Sequence, residues 1–509
     1  AQAREKRSLN SGWSFILSDY PDPGSPGWQK INLPHTWNAA DIIDDTVGYY
    51  RGIGWYQRPV YFSEEESRQQ VRLFIEGAGI KATVYLNGQV AAEHAGSYTG
   101  FWADLTPYIR PGQANNLQVK VDNSKHLSDS IPPFSGDFSM MGGLYRDCWL
   151  VISDPIRFEN RELGSDGIRF TTPQVSERSA SFQISTKITG LTENFSGNIT
   201  YYLLSKGDTI TAGLATIKKP VTGVYELKGR LEKPLLWSPE APNLYQLIVQ
   251  LKNDKKELLD EWSGHVGFKW TGISDKKEFL LNGKPYKLKG ASRHQDYDGV
   301  GHALTDAMHV RDLELMKEMG CNFIRIAHYP QDPAIYDACD RLGLISWSEI
   351  PVVDKVVAGE AFHRHSAQMM REMIAQHINH PSIAIWGYHN EVRNLDTVSI
   401  NNARMLNAIA KEADPQRLTA IAFESNLDAP YFKNPLLSTM LNIADINGYN
   451  VYQGWYRGKH EDIGAFMDTL YAFNPGKPIM LSEYGAGSII NIHTCQPTLF
   501  DFSEEYQCD

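Results

Sequence analysis

No apolar run in this 509-residue chain reaches the roughly 18–20 residues that a membrane span requires. It has no HExxH pair and no glycine-rich phosphate loop, so the simplest signals for a zinc peptidase or a nucleotide enzyme are missing. Cysteine is sparse and odd in number. Cys148, Cys321, Cys339, Cys495 and Cys508 follow no metal or redox spacing and define no disulfide framework. Cys321 and Cys339 sit in apolar surroundings and are expected to be buried thiols. Positive charge is also in deficit. A net charge of −11 argues against nucleic acid or an anionic membrane as partner. The chain starts AQAREKR, without Met, which suggests a processed N-terminus and a periplasmic or secreted location.

What is present points to a large globular protein. A chain of this length should divide into about three domains. Hydrophobic residues make up 42% and aromatics 11%, enough for sizeable cores. The 12 Trp and 25 Tyr exceed the usual needs of packing. Aromatic faces suit sugar rings, although most of these side chains belong to cores.

Residues 1–155 read as all-β. VRLFIEG (71–77), ATVYLNGQVAAEHAG (82–96) and NNLQVKVDN (115–123) alternate in polarity and are broken by turn signals. Asn87-Gly88 predicts a type I′ hairpin. The pattern fits a jelly-roll sandwich. Residues 156–272 continue the alternation and fit a smaller immunoglobulin-like sandwich.

From 273 to 509 strand-like runs alternate with amphipathic helices, the sign of βα units. Seven strands are expected: 287–294, 322–328, 343–350, 382–391, 418–425, 444–452 and 478–485. A closed (β/α)₈ TIM barrel needs eight. We therefore expect the barrel to lack its last strand in this chain, or to close in an unusual way. Two of the apolar runs end in acids: HPSIAIWGYHNE (380–391) at Glu391 and PIMLSEYG (478–485) at Glu483. The C-terminal ends of barrel strands are where catalytic groups collect. A pair of carboxylates there suggests glycoside hydrolysis. Either Glu alone could be an ordinary surface residue; the pair in this setting is harder to dismiss.

These segments resemble glycoside hydrolase family 2, which holds β-galactosidases, β-glucuronidases and β-mannosidases. GCNFIRIAHYPQDPAIYDACDRLGLISWSEI (320–350) resembles the family's signature block. The two acid-ending runs resemble its acid/base and nucleophile segments. LPHTWN (33–38), GGLYRD (142–147), LWSPEAPNLY (236–245) and FLLNGKPYKLKGASRHQD (279–296) match the accessory β-domains and the entry to the barrel.

The resemblance implies a retaining exo-β-glycosidase with Glu391 as acid/base and Glu483 as nucleophile. It implies sugar contacts from Asn390, His328, His294 and Asp296, and from Asp137 on a first-domain loop. Arg325 would orient Glu483 by a charged hydrogen bond. Tyr449 or Tyr452 would donate to Glu483, with Tyr449 preferred. The metal-ligand sequence that some β-galactosidases carry after the third strand is replaced here by EIPVVDKVVAGEAF (349–362), so neither a catalytic metal nor another cofactor is expected. The expected partner is a carbohydrate. Many family members form homo-oligomers, but nothing in this sequence sets a subunit number. We expect a β-galactosidase, with a β-glucuronidase and then a β-mannosidase as alternatives. A non-catalytic carbohydrate-binding protein is the competing reading from another class.

Overall fold

The computed structural model describes residues 4–509 apart from 22–24, 45, 47, 160–161 and 219–222. The first region is a sandwich of a four-stranded and a six-stranded antiparallel sheet. Trp13, Tyr56, Leu73, Val84, Val119 and Leu150 fill the space between the sheets. Leu86 pairs with Gln89 across Asn87 and Gly88, whose φ angles of 52° and 80° supply the left-handed pair that a type I′ turn needs. The second region packs a three-stranded sheet on a four-stranded one, again antiparallel, around Phe182, Tyr201, Leu247 and Val249.

The third region is a parallel sheet of seven strands in sequential order. They are β1 (Gly290–Arg293), β2 (Phe323–Ile326), β3 (Ile345–Glu349), β4 (Ile383–Asn390), β5 (Leu418–Glu424), β6 (Ile446–Asn450) and β7 (Ile479–Glu483). All seven lie inside the expected runs and are shorter at their ends, because the ladder stops where the chain turns into the loops. The intervening helices bury one face against the sheet. Helix α1 spans Asp306–Glu318, and α2 (Pro333–Leu342) shows how such boundaries are encoded. The Asp332 carboxylate accepts from the Ala334 N–H, Pro333 opens the first turn, and Gly343 ends the helix at φ 70°. Helices α3 (Glu360–His377), α4 (Thr397–Ala413), α5 (Leu437–Leu441) and α6 (Ile463–Phe473) follow.

The barrel is nearly closed. Among the described residues β1 and β7 share no backbone ladder; the Ser292 hydroxyl donates to Ser482 O at 3.3 Å across the gap. A cavity of about 1430 Å³ runs along this flank. Tyr286, Phe323, Ile446 and Met480 are among its lining residues, as are His294 and Glu483. Cys148, Cys321 and Cys339 are buried, Cys495 and Cys508 are exposed, and all five are free thiols. Among the described residues no helix is long and apolar enough to cross a membrane.

The first sandwich is locked to the barrel by buried polar contacts. The Arg146 guanidinium donates to Tyr98 O (3.0 Å) in its own domain and to Gln295 Oε1 (3.2 Å) and Pro330 O (2.8 Å) in the barrel. Glu372 on α3 accepts from the Thr99 hydroxyl at 2.6 Å and lies 3.2 Å from His94 Nε2. These ties hold a first-domain loop over the barrel mouth. Phe138 in that loop packs 5.4 Å from His294 and 5.9 Å from His328, ring centre to ring centre.

Candidate active site

The strand ends converge on a network of charged hydrogen bonds. Gly387 in β4 makes room for it. A Cβ there would come within 2.1 Å of Trp347 Nε1 and 2.7 Å of Glu349 Cβ, so the position admits no side chain. Trp347 in β3 in turn presents its ring to the Arg325 guanidinium at 4.8 Å. Arg325 is almost fully buried and donates through Nε (3.2 Å) and Nη2 (2.9 Å) to the two oxygens of Glu349. Burial opposes the charge of Arg325, but Glu349 and Glu483 outweigh it and hold its pKa above the ordinary value. Burial likewise disfavours ionised Glu349, yet Arg325 and His328 outweigh it and hold that carboxyl low. This buried pair is stable because every partner is present.

Arg325 also reaches out of the pair. Its Nη1 donates to Glu483 Oε1 at 2.6 Å, and its Nη2 donates to Asn390 Oδ1 at 2.9 Å. The Tyr452 hydroxyl donates to the other Glu483 oxygen at 2.6 Å. With both oxygens accepting, Glu483 is fixed in orientation. Asn450 Nδ2 lies 3.1 Å from Asn390 Oδ1 and 3.0 Å from Glu391 Oε1, which connects Glu391 through Asn390 and Arg325 to Glu483. The Ser482 hydroxyl, donating to Asn450 Oδ1 at 2.7 Å, sets the orientation of that amide. Because Asn390 Oδ1 is taken, its amide N–H₂ is the part left to meet a ligand.

Glu391 stands just past β4 at φ 48°. Burial raises its pKa, Asn450 opposes that, Glu483 adds to it and Arg393 opposes it; the net direction is upward. His328 Nδ1 lies 2.8 Å from Glu349 Oε1, and its Nε2 lies 3.6 Å from Glu483 Oε1. His294 packs edge-on against His328 (5.1 Å between ring centres) and bonds Tyr329 through Nδ1 at 3.0 Å. Burial, reinforced by repulsion from His328, lowers its pKa to about 4, so it is neutral at pH 7. Asp296 lies 2.7 Å from His302 Nε2. Burial works against its ionised form, but His302 outweighs it and keeps its pKa low. Asp137 is exposed and lines the same cavity as His294 and Glu483.

Glu391, Glu483, Asn390, Arg325, His328 and Tyr452 are thus brought together, with His294, Asp296 and Asp137 around them. Tyr449 is not among them. It points to the helix layer, 5.6 Å from Phe423, and among the described residues its hydroxyl has no hydrogen-bond partner. The preference for Tyr449 is therefore corrected: the donor to Glu483 is Tyr452. The cause is strand parity. Asn450 ends β6 facing inward, so its neighbour Tyr449 faces outward, while Tyr452 reaches back from the loop. Replacing Tyr452 with Phe removes one hydrogen bond to a charged group, worth about 1.5–3 kcal/mol. We expect kcat on an aryl glycoside to fall roughly 10–100-fold, with Tyr449→Phe within about twofold of wild type. Equal losses in both variants would contradict this placement.

Sequence reading missed Glu349, Asn450 and Arg393. Glu349 carries the signal that identified the other two acids, an apolar run ending in a carboxyl at a strand terminus. The arrangement offers a half-buried carboxyl suited to holding a proton, Glu391, beside an oriented one suited to attack, Glu483. That is the complement of an acid/base and a nucleophile.

Comparison with known proteins gives the family. Three sequence profiles match in succession: "Glycosyl hydrolases family 2, sugar binding domain" over residues 6–154, "Glycosyl hydrolases family 2" over 167–269, and the family's "TIM barrel domain" over 272–509. A β-glucuronidase of Bacteroides fragilis is 33% identical over 499 residues, covering 96% of this chain and 69% of that protein. A β-galactosidase of Thermoanaerobacter pseudethanolicus is 30% identical over 393 residues, 75% of this chain and 51% of that one. The crystal structure of Bacteroides uniformis β-glucuronidase superposes with a TM-score of 0.92 at 38% identity, covering 99% of this chain and 62% of that one. The chain thus spans 51–69% of the length of these relatives. On these matches and on the architecture that accompanies them, the chain belongs to glycosyl hydrolase family 2.

Proposed function

We propose that this chain acts as a retaining exo-β-glycosidase on terminal β-glucuronides. In the first step a Glu483 oxygen attacks the anomeric carbon while Glu391 gives its proton to the departing glycosidic oxygen. In the second, Glu391 takes a proton from water, which displaces Glu483 and releases the sugar. The Asn390 amide donates to the sugar 2-hydroxyl, a bond that strengthens as positive charge builds on the ring. His328, His294, Asp296 and Asp137 contact the other hydroxyls.

The observation that carries the glucuronide reading is the pair of β-glucuronidases, each matched over at least 96% of this chain, at 33% and 38% identity. It replaces the expectation of a β-galactosidase, which the shorter 30% match supports less well. Arg325 is poorly suited to read a uronate carboxylate, because four of its five N–H donors are committed to Glu349, Glu483 and Asn390. A matched pair of 4-nitrophenyl β-D-glucuronide and β-D-galactoside tests the reading. We expect kcat/KM at least about 100-fold higher on the glucuronide, about 2.7 kcal/mol of transition-state preference. A galactoside cut faster than the glucuronide would restore the alternative.

A further inference from the structure

The turn after Glu391 is tied to the loop after β3 by three backbone hydrogen bonds. Asn390 N–H donates to Val352 O (3.0 Å), Asp354 N–H to Asn390 O (3.1 Å), and Arg393 N–H to Asp354 O (2.8 Å). The lacing brings three carboxylates around one guanidinium. Arg393 Nη2 lies 3.1 Å from Glu391 Oε2, Nη1 lies 3.3 Å from Asp354 Oδ1, and Nε lies 3.5 Å from Glu424 Oε2. The far oxygen of Asp354 accepts from the Ser135 hydroxyl at 2.7 Å. Ser135 belongs to the first-domain loop, and its neighbour Phe134 faces Lys355 Nζ at 5.0 Å. A chain of contacts therefore runs from the first sandwich to the candidate acid/base: Ser135, Asp354, Arg393, Glu391.

An exposed ion pair at a rim is ordinarily worth little, and the Arg393 side chain is 56% exposed. Three features set this one apart. The guanidinium serves several carboxylates at once. Its backbone is fixed by the lacing. Its contact is with the one carboxyl that must change charge twice in each turnover. Asn450 holds Glu391 Oε1 and Arg393 holds Oε2, so both oxygens of the carboxyl are located.

We propose that Arg393 is a positioning residue for Glu391, held by Asp354 and through it by Ser135, and that it stabilises the carboxylate left when Glu391 protonates the leaving group. This rests on the double-displacement reading above. The groups facing Glu391 are Glu483 on β7, Asn450 on β6, Tyr452 beyond it, Glu424 on β5, Asp354 beyond β3 and Arg393 on its own turn. Burial and Glu483 favour the protonated form, and Arg393 and Asn450 favour the ionised one. Arg393 thus keeps the carboxyl acidic enough to release its proton.

The test is a ¹³C-carboxyl NMR titration of Glu391 in the full chain, assigned by its loss in E391Q, for wild type, R393Q, R393K and S135A. A cation within bonding distance lowers a carboxyl by about 1–3 pH units when buried, and by less at a half-exposed site. We expect the Glu391 midpoint to rise by about 0.5–1 pH unit in R393Q. R393K should recover part of the shift, and S135A should show a smaller rise of the same sign. The alkaline limb of kcat/KM should move up with the midpoint, because the acid must be protonated to act. An unchanged midpoint in R393Q overturns the role of Arg393. A shift in R393Q with none in S135A overturns the part given to the first domain. The NMR midpoint is read without turnover, so a chain that cuts no glycoside defeats the functional reading and leaves this test standing.

Discussion

Glu483→Gln is expected to reduce hydrolysis of the aryl glucuronide by at least about 10³-fold, equivalent to about 4 kcal/mol of barrier. The amide cannot form the glycosyl ester, and neither Glu349 nor Glu391 is placed to take over. Glu349 is buried behind Arg325, and Glu391 is needed as the acid. The fold should survive. Glu483 accepts from Arg325 on one oxygen and from Tyr452 on the other. A Gln keeps its carbonyl toward Arg325 and turns its N–H₂ toward the Tyr452 hydroxyl, which can rotate to accept. Substrate binding should therefore persist while kcat collapses. Residual kcat above about a tenth of wild type would remove Glu483 from the nucleophile role. Preserved sugar binding in a wild type without turnover would instead favour the carbohydrate-binding reading.

The second large effect is expected at Glu349, which touches no substrate. Glu349→Leu leaves the buried Arg325 without its main counter-charge, and breaking one side of a buried pair costs about 3–5 kcal/mol. The denaturation midpoint of the barrel should drop accordingly. A single unfolding free energy is not defined for a chain of several domains, so the midpoint is the quantity to compare. Glu349→Gln is the more informative variant. It keeps the volume and one acceptor for Arg325 but removes the charge, so the guanidinium and His328 lose their common anchor. We expect kcat to fall roughly 10–100-fold with KM little changed, since the loss acts through Glu483 and Asn390. A Glu349→Gln enzyme within about threefold of wild type would show that Glu483 holds its place without this support.

Much of this architecture could be read from local pattern. Seven apolar runs separated by helical stretches became seven parallel strands, and the two acid-ending runs became the ends of β4 and β7. Parallel strands buried on both faces are written as nearly continuous apolar stretches, so they stand out. What stayed hidden depends on which way a side chain turns at the end of a strand. Tyr449 and Tyr452 look alike in sequence, and only the inward facing of Asn450 separates them. Long-range contacts were hidden for another reason. Nothing near Ser135 announces a bond to Asp354, 219 residues away, because a surface loop gains its partner only when two domains dock. Arg393 was passed over because one charged residue after an acid looks like an ordinary surface pair.

Among the described residues the two carboxyl groups stand on unequal foundations. Glu391 follows β4, an interior strand clamped by ladders to β3 and β5. Glu483 ends β7, which among the described residues is laddered to β6 on one side. The precision of the attacking oxygen is therefore set by tethers, Arg325 and Tyr452, more than by the sheet. A change that cuts either tether frees Glu483 while the ladders around Glu391 stay whole, so damage at one wall of the site need not reach the other.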